Sequence, residues 1–282
     1  MSTFTHDTVP TQFVDVNGTT YAYRRFGKKA GLPLVFLQHF TGTLDNWDPA
    51  VTNAISLERE VIIFDNAGIA ASTGEVATTI KGIAATAIAF IDGLGLEQID
   101  LYGYSMGSFV AQEIALARPE LIRRLILVGS GPRGGEGLES FSPEALAMFG
   151  ATYDPADELL LVTLFSPTET SQAAGRKFLD RIRARKADRD VAINDKVVPA
   201  QLAAIAEWGT PGDSTYAYLK NINIPVLVVN GKVDVLFPTV NSYLLQQHLN
   251  DAKLVLYPDS NHGAQYQFHE DFIKEVSWFL NK

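Results

Sequence analysis

Short continuous apolar runs recur along the chain: Leu34-Val35-Phe36-Leu37, Val61-Ile62-Ile63-Phe64, Ile99-Asp100-Leu101-Tyr102, Leu125-Ile126-Leu127-Val128, Val226-Leu227-Val228-Val229 and Leu254-Val255-Leu256-Tyr257. Runs of this length with no polar alternation predict strands buried on both faces, as in a parallel sheet covered by helices. Segments of helical periodicity lie between them, at Leu44–Glu58, Thr78–Leu94, Met106–Arg118, Val240–Leu249 and Phe268–Leu280. Thr78-Thr79 offers a cap for the second and Pro119 stops the third. Thr11–Val16 and Thr19–Phe26 alternate instead, and Asn17-Gly18 between them supplies the positive φ values of a two-residue turn, predicting an antiparallel hairpin. The expected fold class is therefore α/β, with a mostly parallel sheet and an antiparallel N-terminal hairpin.

Residues 130–225 break the rhythm, because an ordinary strand-to-strand crossover is far shorter. Helical patterns at Pro143–Phe149, Asp157–Phe165, Glu169–Ala187 and Pro199–Trp208 fill the interval, with Gly131–Gly137 opening it and Thr210-Pro211-Gly212 near its end. The expected organisation is a core of residues 1–132 and 213–282, with an inserted helical cap at 133–212 over a covered pocket.

Composition narrows the chemistry. With 282 residues, 46% of them hydrophobic, the chain can bury a large core. A net charge of −9 repels nucleic-acid phosphates and anionic lipid, so a small-molecule substrate is expected rather than a nucleic acid or a membrane. The absence of cysteine removes thiolate catalysis and Cys-ligated metal. No stretch reaches the ~18 apolar residues of a spanning helix, and Met1–Pro10 lacks the pattern of a signal peptide, so the expectation is a soluble cytoplasmic protein. No metal-ligand motif is present, Gly131–Gly137 lacks the spacing of a phosphate-binding loop, and neither metal nor cofactor is expected.

Candidate chemistry sits where strands end. Gly103-Tyr104-Ser105-Met106-Gly107 follows a strand and opens a helix, the setting of a G-x-S-x-G elbow. Gly103 and Gly107 leave room for the sharp bend, and the helix N-terminus turns free N–H groups and a positive dipole end toward a developing oxyanion. A serine needs a base and an orienting acid. Asp234, after Asn230-Gly231-Lys232-Val233, and His262, in Asp259-Ser260-Asn261-His262-Gly263, leave the next two strands at the same edge and fit those parts. His6, His248 and His269 are expected at the surface, and the run Arg176–Lys186 on a solvated helix face.

Taken together, the hairpin start, the elbow, the insertion, Gly231–Asp234 and Asn261-His262-Gly263 resemble the α/β-hydrolase superfamily over nearly the whole chain. Asp65-Asn66-Ala67-Gly68-Ile69-Ala70-Ala71-Ser72 is similar to its D-x-x-G-x-G-x-S loop, with Ala70 in place of the second glycine. The resemblance implies the α/β-hydrolase fold with an eight-stranded sheet, and a capped serine hydrolase in which Ser105 attacks, His262 is the base and Asp234 orients it. It also implies backbone oxyanion donors. Aligning Phe40 with the Phe of the H-G-F-x-G loop makes Phe40 and Met106 N–H the donors. A shifted gap would make His39 the family histidine and Thr41 a donor. His39 has two readings, lining the pocket or bonding a substrate oxygen, and holding the loop through backbone hydrogen bonds, of which the second is preferred. Trp208, Leu236 and Phe237, with Phe149, Tyr153 and Phe165, are candidates for an apolar pocket wall. The expected reaction is hydrolysis of a carboxylic ester or lactone. Perhydrolysis, C–C bond cleavage and ligand binding without turnover are the alternatives that the same fold hosts.

Overall fold

The computed structural model describes residues 4–212 and 215–282, so the core boundary expected at residue 213 lies outside the described residues. In chain order the elements are β1 (Gln12–Val16), β2 (Thr19–Gly27), β3 (Leu34–Leu37), α1 (Pro49–Ser56), β4 (Glu60–Phe64), α2 (Ile80–Gly93), β5 (Ile99–Tyr104), α3 (Met106–Ala117) and β6 (Ile122–Val128). After the insertion helices α4 (Pro143–Gly150), α5 (Glu158–Leu164), α6 (Glu169–Ile182) and α7 (Val197–Gly209) come β7 (Val226–Gly231), α8 (Val240–His248), β8 (Ala252–Tyr257), α9 (Ala264–Gln267) and α10 (His269–Leu280).

The eight strands form one sheet in the order β1-β2-β4-β3-β5-β6-β7-β8. β2 alone runs against the others, pairing antiparallel with both β1 and β4, while β3 to β8 pair parallel. β3, β4, β5 and β7 are buried along their length, and β6 from Leu125 onward, because helices cover both faces, which is why they read as apolar runs. The hairpin turn uses Asn17 at φ 51° and Gly18 at φ 83°, as the dipeptide requires. Parallel pairing brings the carboxyl ends of β3, β5, β6, β7 and β8 to one edge, beside the point where strand order reverses, which is where open α/β sheets bind ligands. No helix among the described residues is long and apolar enough to cross a membrane.

Two helical patterns end earlier than their periodicity predicts. The segment Leu44–Glu58 splits into a 3-10 turn at Leu44–Asn46 and α1, because Pro49 pushes Asp48 into extended geometry and then starts a new helix at its first position, with the Asp48 carboxylate capping Ala50 N–H at 2.8 Å. The pattern Glu169–Ala187 stops at Ile182, and the basic run is a solvated face only in part: Arg176, Lys177 and Lys186 are exposed, whereas Arg181 and Arg185 turn inward. Arg181 pairs bidentately with the fully buried Asp48 at 2.7 and 2.6 Å, and buried Arg185 donates to the carbonyls of His6 and Val9, both at 2.8 Å. Carbonyls and a carboxylate inside the core outcompete water for these guanidiniums, and the insertion is thereby tied to α1 and the N-terminal segment.

The same contacts correct the placement of His6. It is buried, not superficial, with Nδ1 3.0 Å from Thr52 Oγ1 and its ring edge-on to Phe26. Burial, aided by the nearby Arg24 guanidinium, pushes its pKa down from 6.5 to about 3. His248 and His269 are half-buried.

Two predictions follow from these anchors. Truncating Arg181 to alanine strips a buried carboxylate of its partner and is expected to lower stability by about 3 kcal/mol, read as the shift of the urea unfolding midpoint. Between pH 6.5 and 3 the unfolded chain protonates His6 while the folded protein does not. That contribution is complete above pH 6.5 and is lost as pH falls. Asp65, raised well above its usual range mainly by burial, works in the opposite sense because the folded state keeps its proton longer. Replacing His6 with asparagine is therefore expected to flatten the fall of thermal stability between pH 6.5 and 4.5, and an unchanged slope would refute the assignment.

Candidate active site

Ser105 stands between β5 and α3 with φ 55° and ψ −127°, a backbone geometry that costs an L-residue of order 1–3 kcal/mol. The turn is possible because the residues two positions to either side, Gly103 and Gly107, lack side chains. A Cβ on Gly103 would lie 2.5 Å from Gly107 O and 2.6 Å from Ser108 Cα, and one on Gly107 would collide with Leu37 O. α3 thus sits directly against the ends of β3 and β5, with Ser105 at its N-terminus.

Asp234 follows β7 and His262 follows β8, and the edge geometry brings both to Ser105. His262 Nε2 is 2.7 Å from Ser105 Oγ, and His262 Nδ1 is 2.7 Å from Asp234 Oδ2. All three side chains are buried. The other carboxylate oxygen of Asp234 accepts from Leu236 and Phe237 N–H, each at 2.9 Å, which fixes the carboxylate plane. The imidazole lies between Tyr104, 5.3 Å away between ring centres, and the edge of Phe237 at 5.2 Å. A hydroxyl, imidazole and carboxylate in this chain can move the hydroxyl proton to Nε2 while the carboxylate holds Nδ1–H and stabilises the cation that results.

Two supports of the histidine were not read from sequence. Asn261 Oδ1 accepts from both Val235 N–H and His262 N–H, each at 2.9 Å, joining the two loops that carry the acid and the base. Gly129, at the end of β6 with φ 56°, leaves the space the ring fills, since a Cβ there would be 2.8 Å from His262 Cε1. A glycine closing an apolar strand run was the available signal for the second. For the first, Asn261 stood inside the quoted motif without an assigned part.

In the loop after β3, the N–H of His39 donates to Gln38 Oε1 at 2.9 Å, that of Thr41 to Gln201 Oε1 at 2.7 Å and that of Gly42 to His39 O at 3.1 Å. Phe40 N–H has no acceptor among the described residues, and Thr41 N–H, the alternative donor, is occupied. Met106 N–H opens α3, where no earlier helical turn precedes it. His39 does both things considered for it. Its Nδ1 lies 2.8 Å from Phe40 O, and since a carbonyl only accepts, Nδ1 carries the proton. Its ring also lines the pocket over Ser105. Burial pushes its pKa down from 6.5 to about 4, so at neutral pH Nε2 is an acceptor and would meet a substrate hydroxyl rather than a bare oxygen.

The pocket encloses about 540 Å³ of non-protein space, part of it open to solvent. Its floor is Ser105, His262 and Tyr104, and its walls include Phe40, Phe149, Leu160, Ile205, Leu236 and Phe237, with no Asp, Glu, Lys or Arg in the lining. Trp208 is not part of it. The indole is buried deeper, stacked on Phe109 with ring centres 5.1 Å apart, one turn further along the same face of α7 than Ile205, which lines the pocket. Tyr153 and Phe165 also lie outside the lining. Among the described residues no group of three or more His, Asp or Glu could hold a metal ion.

The alpha/beta hydrolase fold family matches residues 33–268, and the chain belongs to it. A solved alpha/beta hydrolase fold protein from Chitinophaga pinensis is 39% identical over 99% of this chain and 100% of its own, with a TM-score of 0.93. A Mycobacterium tuberculosis protein carrying the name non-heme bromoperoxidase BpoC is 26% identical over 82% of this chain and 87% of its own. The 2-hydroxy-6-oxononadienedioate/2-hydroxy-6-oxononatrienedioate hydrolase 2 of Pseudomonas putida is 25% identical over 72% of this chain and 68% of its own. Proteins named as hydrolases and one named as a bromoperoxidase are thus among the relatives.

If Gly129 sets the position of the imidazole, Gly129→Ala should leave a folded protein whose Ser105 reacts at least about tenfold more slowly with a fluorophosphonate, since small displacements of reacting groups carry large rate costs. Mass spectrometry of the Ser105 peptide over time measures it, and an unchanged rate would remove Gly129 from the argument.

Proposed function

We propose that the protein is a cofactor-independent serine hydrolase that cleaves a carboxylic ester or lactone of a small to medium, uncharged substrate. The observation that carries this reading is the hydrogen-bonded Ser105–His262–Asp234 chain opening into a pocket whose lining holds no charged residue. Ser105 Oγ adds to the ester carbonyl as His262 Nε2 takes its proton, and the carbonyl oxygen becomes an oxyanion met by Phe40 and Met106 N–H. His262 returns the proton to the leaving alkoxide, and water activated by the same imidazole releases the acid from the acyl-serine. Asp234 holds the imidazole in the tautomer that keeps Nε2 free to accept. The helices of the insertion act as a cap that keeps the acyl chain from water.

The relative from Pseudomonas putida takes, by its name, dienedioates, which bear two carboxylates. A pocket without Arg or Lys offers such a substrate no counter-charge for its desolvated anions, which favours a neutral ester or lactone here.

A p-nitrophenyl ester series from acetate to decanoate tests the proposal. Turnover that depends on chain length and vanishes in Ser105→Ala is expected. Asp234→Asn keeps the shape but favours the wrong tautomer, and a loss in kcat of roughly 10³ to 10⁴ is expected. Near-wild-type kcat in that variant would refute the part given to Asp234.

A further inference from the structure

We propose that Gln201, on insertion helix α7, is a positioning residue for the oxyanion loop, so that the donor at Phe40 is in place only while the insertion is seated on the core. The inference rests on the reading above, in which Phe40 N–H meets the oxyanion.

Of the successive N–H groups from His39 to Gly42, three are consumed within the protein, and that of Phe40, a residue lining the pocket that contains Ser105, alone has no acceptor among the described residues. Gln38 and His39 belong to the loop itself, so the bonds to His39 N–H and Gly42 N–H move with it. The bond from Thr41 N–H to Gln201 Oε1, at 2.7 Å, is different, since it joins the loop to a helix 160 residues away in sequence. Gln201 is buried, so its carboxamide oxygen has exchanged water for this amide.

The loop needs an external hold. Thr41 takes φ 59°, a conformation a β-branched residue adopts only when its surroundings impose it. Gln201 also lines a small cleft beside the loop, together with Gln38, His39, Gly42, Asn66 and Met106. Without Gln201 the Thr41 backbone can relax toward ordinary φ values and the loop can shift, carrying with it the His39–Phe40 peptide whose N–H is the donor. An oxyanion donor acts through fixed direction, which is why it stabilises the transition state and not the bound ester.

The test uses the full chain with Gln201→Met, which keeps the side chain's length and volume but removes the acceptor, and Gln201→Glu, which keeps an oxygen at the same reach. For the best p-nitrophenyl ester, Gln201→Met is expected to lower kcat by about 10- to 100-fold, somewhat less than deleting a donor outright, with KM within about twofold of wild type. Affinity for a trifluoromethyl ketone of the same chain length, which adds to Ser105 Oγ and becomes an oxyanionic hemiketal as His262 takes the proton, should fall by the same factor. Affinity for the corresponding methyl ketone, bound without addition, should hold. Gln201→Glu should recover part of both losses. Wild-type kcat and trifluoromethyl ketone affinity in Gln201→Met would overturn the inference. So would parallel losses of both ketone affinities and of thermal stability that Gln201→Glu does not relieve, because they would mark a packing role only. If wild-type protein turned over no ester, or if Ser105→Ala retained turnover, the parent reading would fail and this inference with it.

Discussion

The site depends on the backbone conformation of one residue. Ser105 is held at φ 55° between a strand and a helix that must approach each other closely, and this is affordable only because Gly103 and Gly107 have nothing to put in the gap. Everything at the sheet edge is arranged around that turn. α3 is aimed by it, the loops after β7 and β8 reach toward it, and the β6 end gives way to a glycine so that an imidazole can lie beside it. The strain is held by a sheet whose central strands are buried on both faces, a scaffold stiff enough to over-determine a single unfavourable residue.

A second constraint is the attachment of the insertion. Helices joined to a core through glycine-containing segments would be free to wander, yet here Arg181 and Arg185 reach into the core and find Asp48 and the carbonyls of the N-terminal segment. These contacts explain why the chain before β1, polar as it is, contains a buried histidine. The N-terminal segment is part of the joint between core and insertion. The pocket beneath is correspondingly closed on several sides by residues of both units, Phe149 and Ile205 from one and Phe40 and Phe237 from the other.

Legibility in the sequence followed the range of the forces involved. The strands were readable because burial on both faces demands unbroken apolar runs, and the hairpin because Asn17-Gly18 serves positive φ values better than other dipeptides. The elbow was readable because close backbone approach needs glycine at two fixed spacings. Helix ends were less so. Pro49 restarts a helix inside a continuous periodic pattern, and the basic stretch ending at Lys186 looks amphipathic whether its arginines meet water or a buried carboxylate. Trp208 shows the same limit, since an indole in a pocket wall and one stacked on Phe109 leave the same letter in the chain.

The α/β order, the sheet edge at which chemistry could be assembled and the three residue types that meet there could be read along the chain, because each depends on local backbone demands or on periodicity. Packing settles what the chain's local pattern does not: Asn261 joins the two loops, Gly129 makes room for the imidazole, and Gln201 takes the Thr41 N–H while that of Phe40 has no acceptor among the described residues. These are contacts between segments up to 160 residues apart, set by how helices and loops settle on the sheet, and no local pattern encodes the direction in which a side chain on one element finds an amide on another.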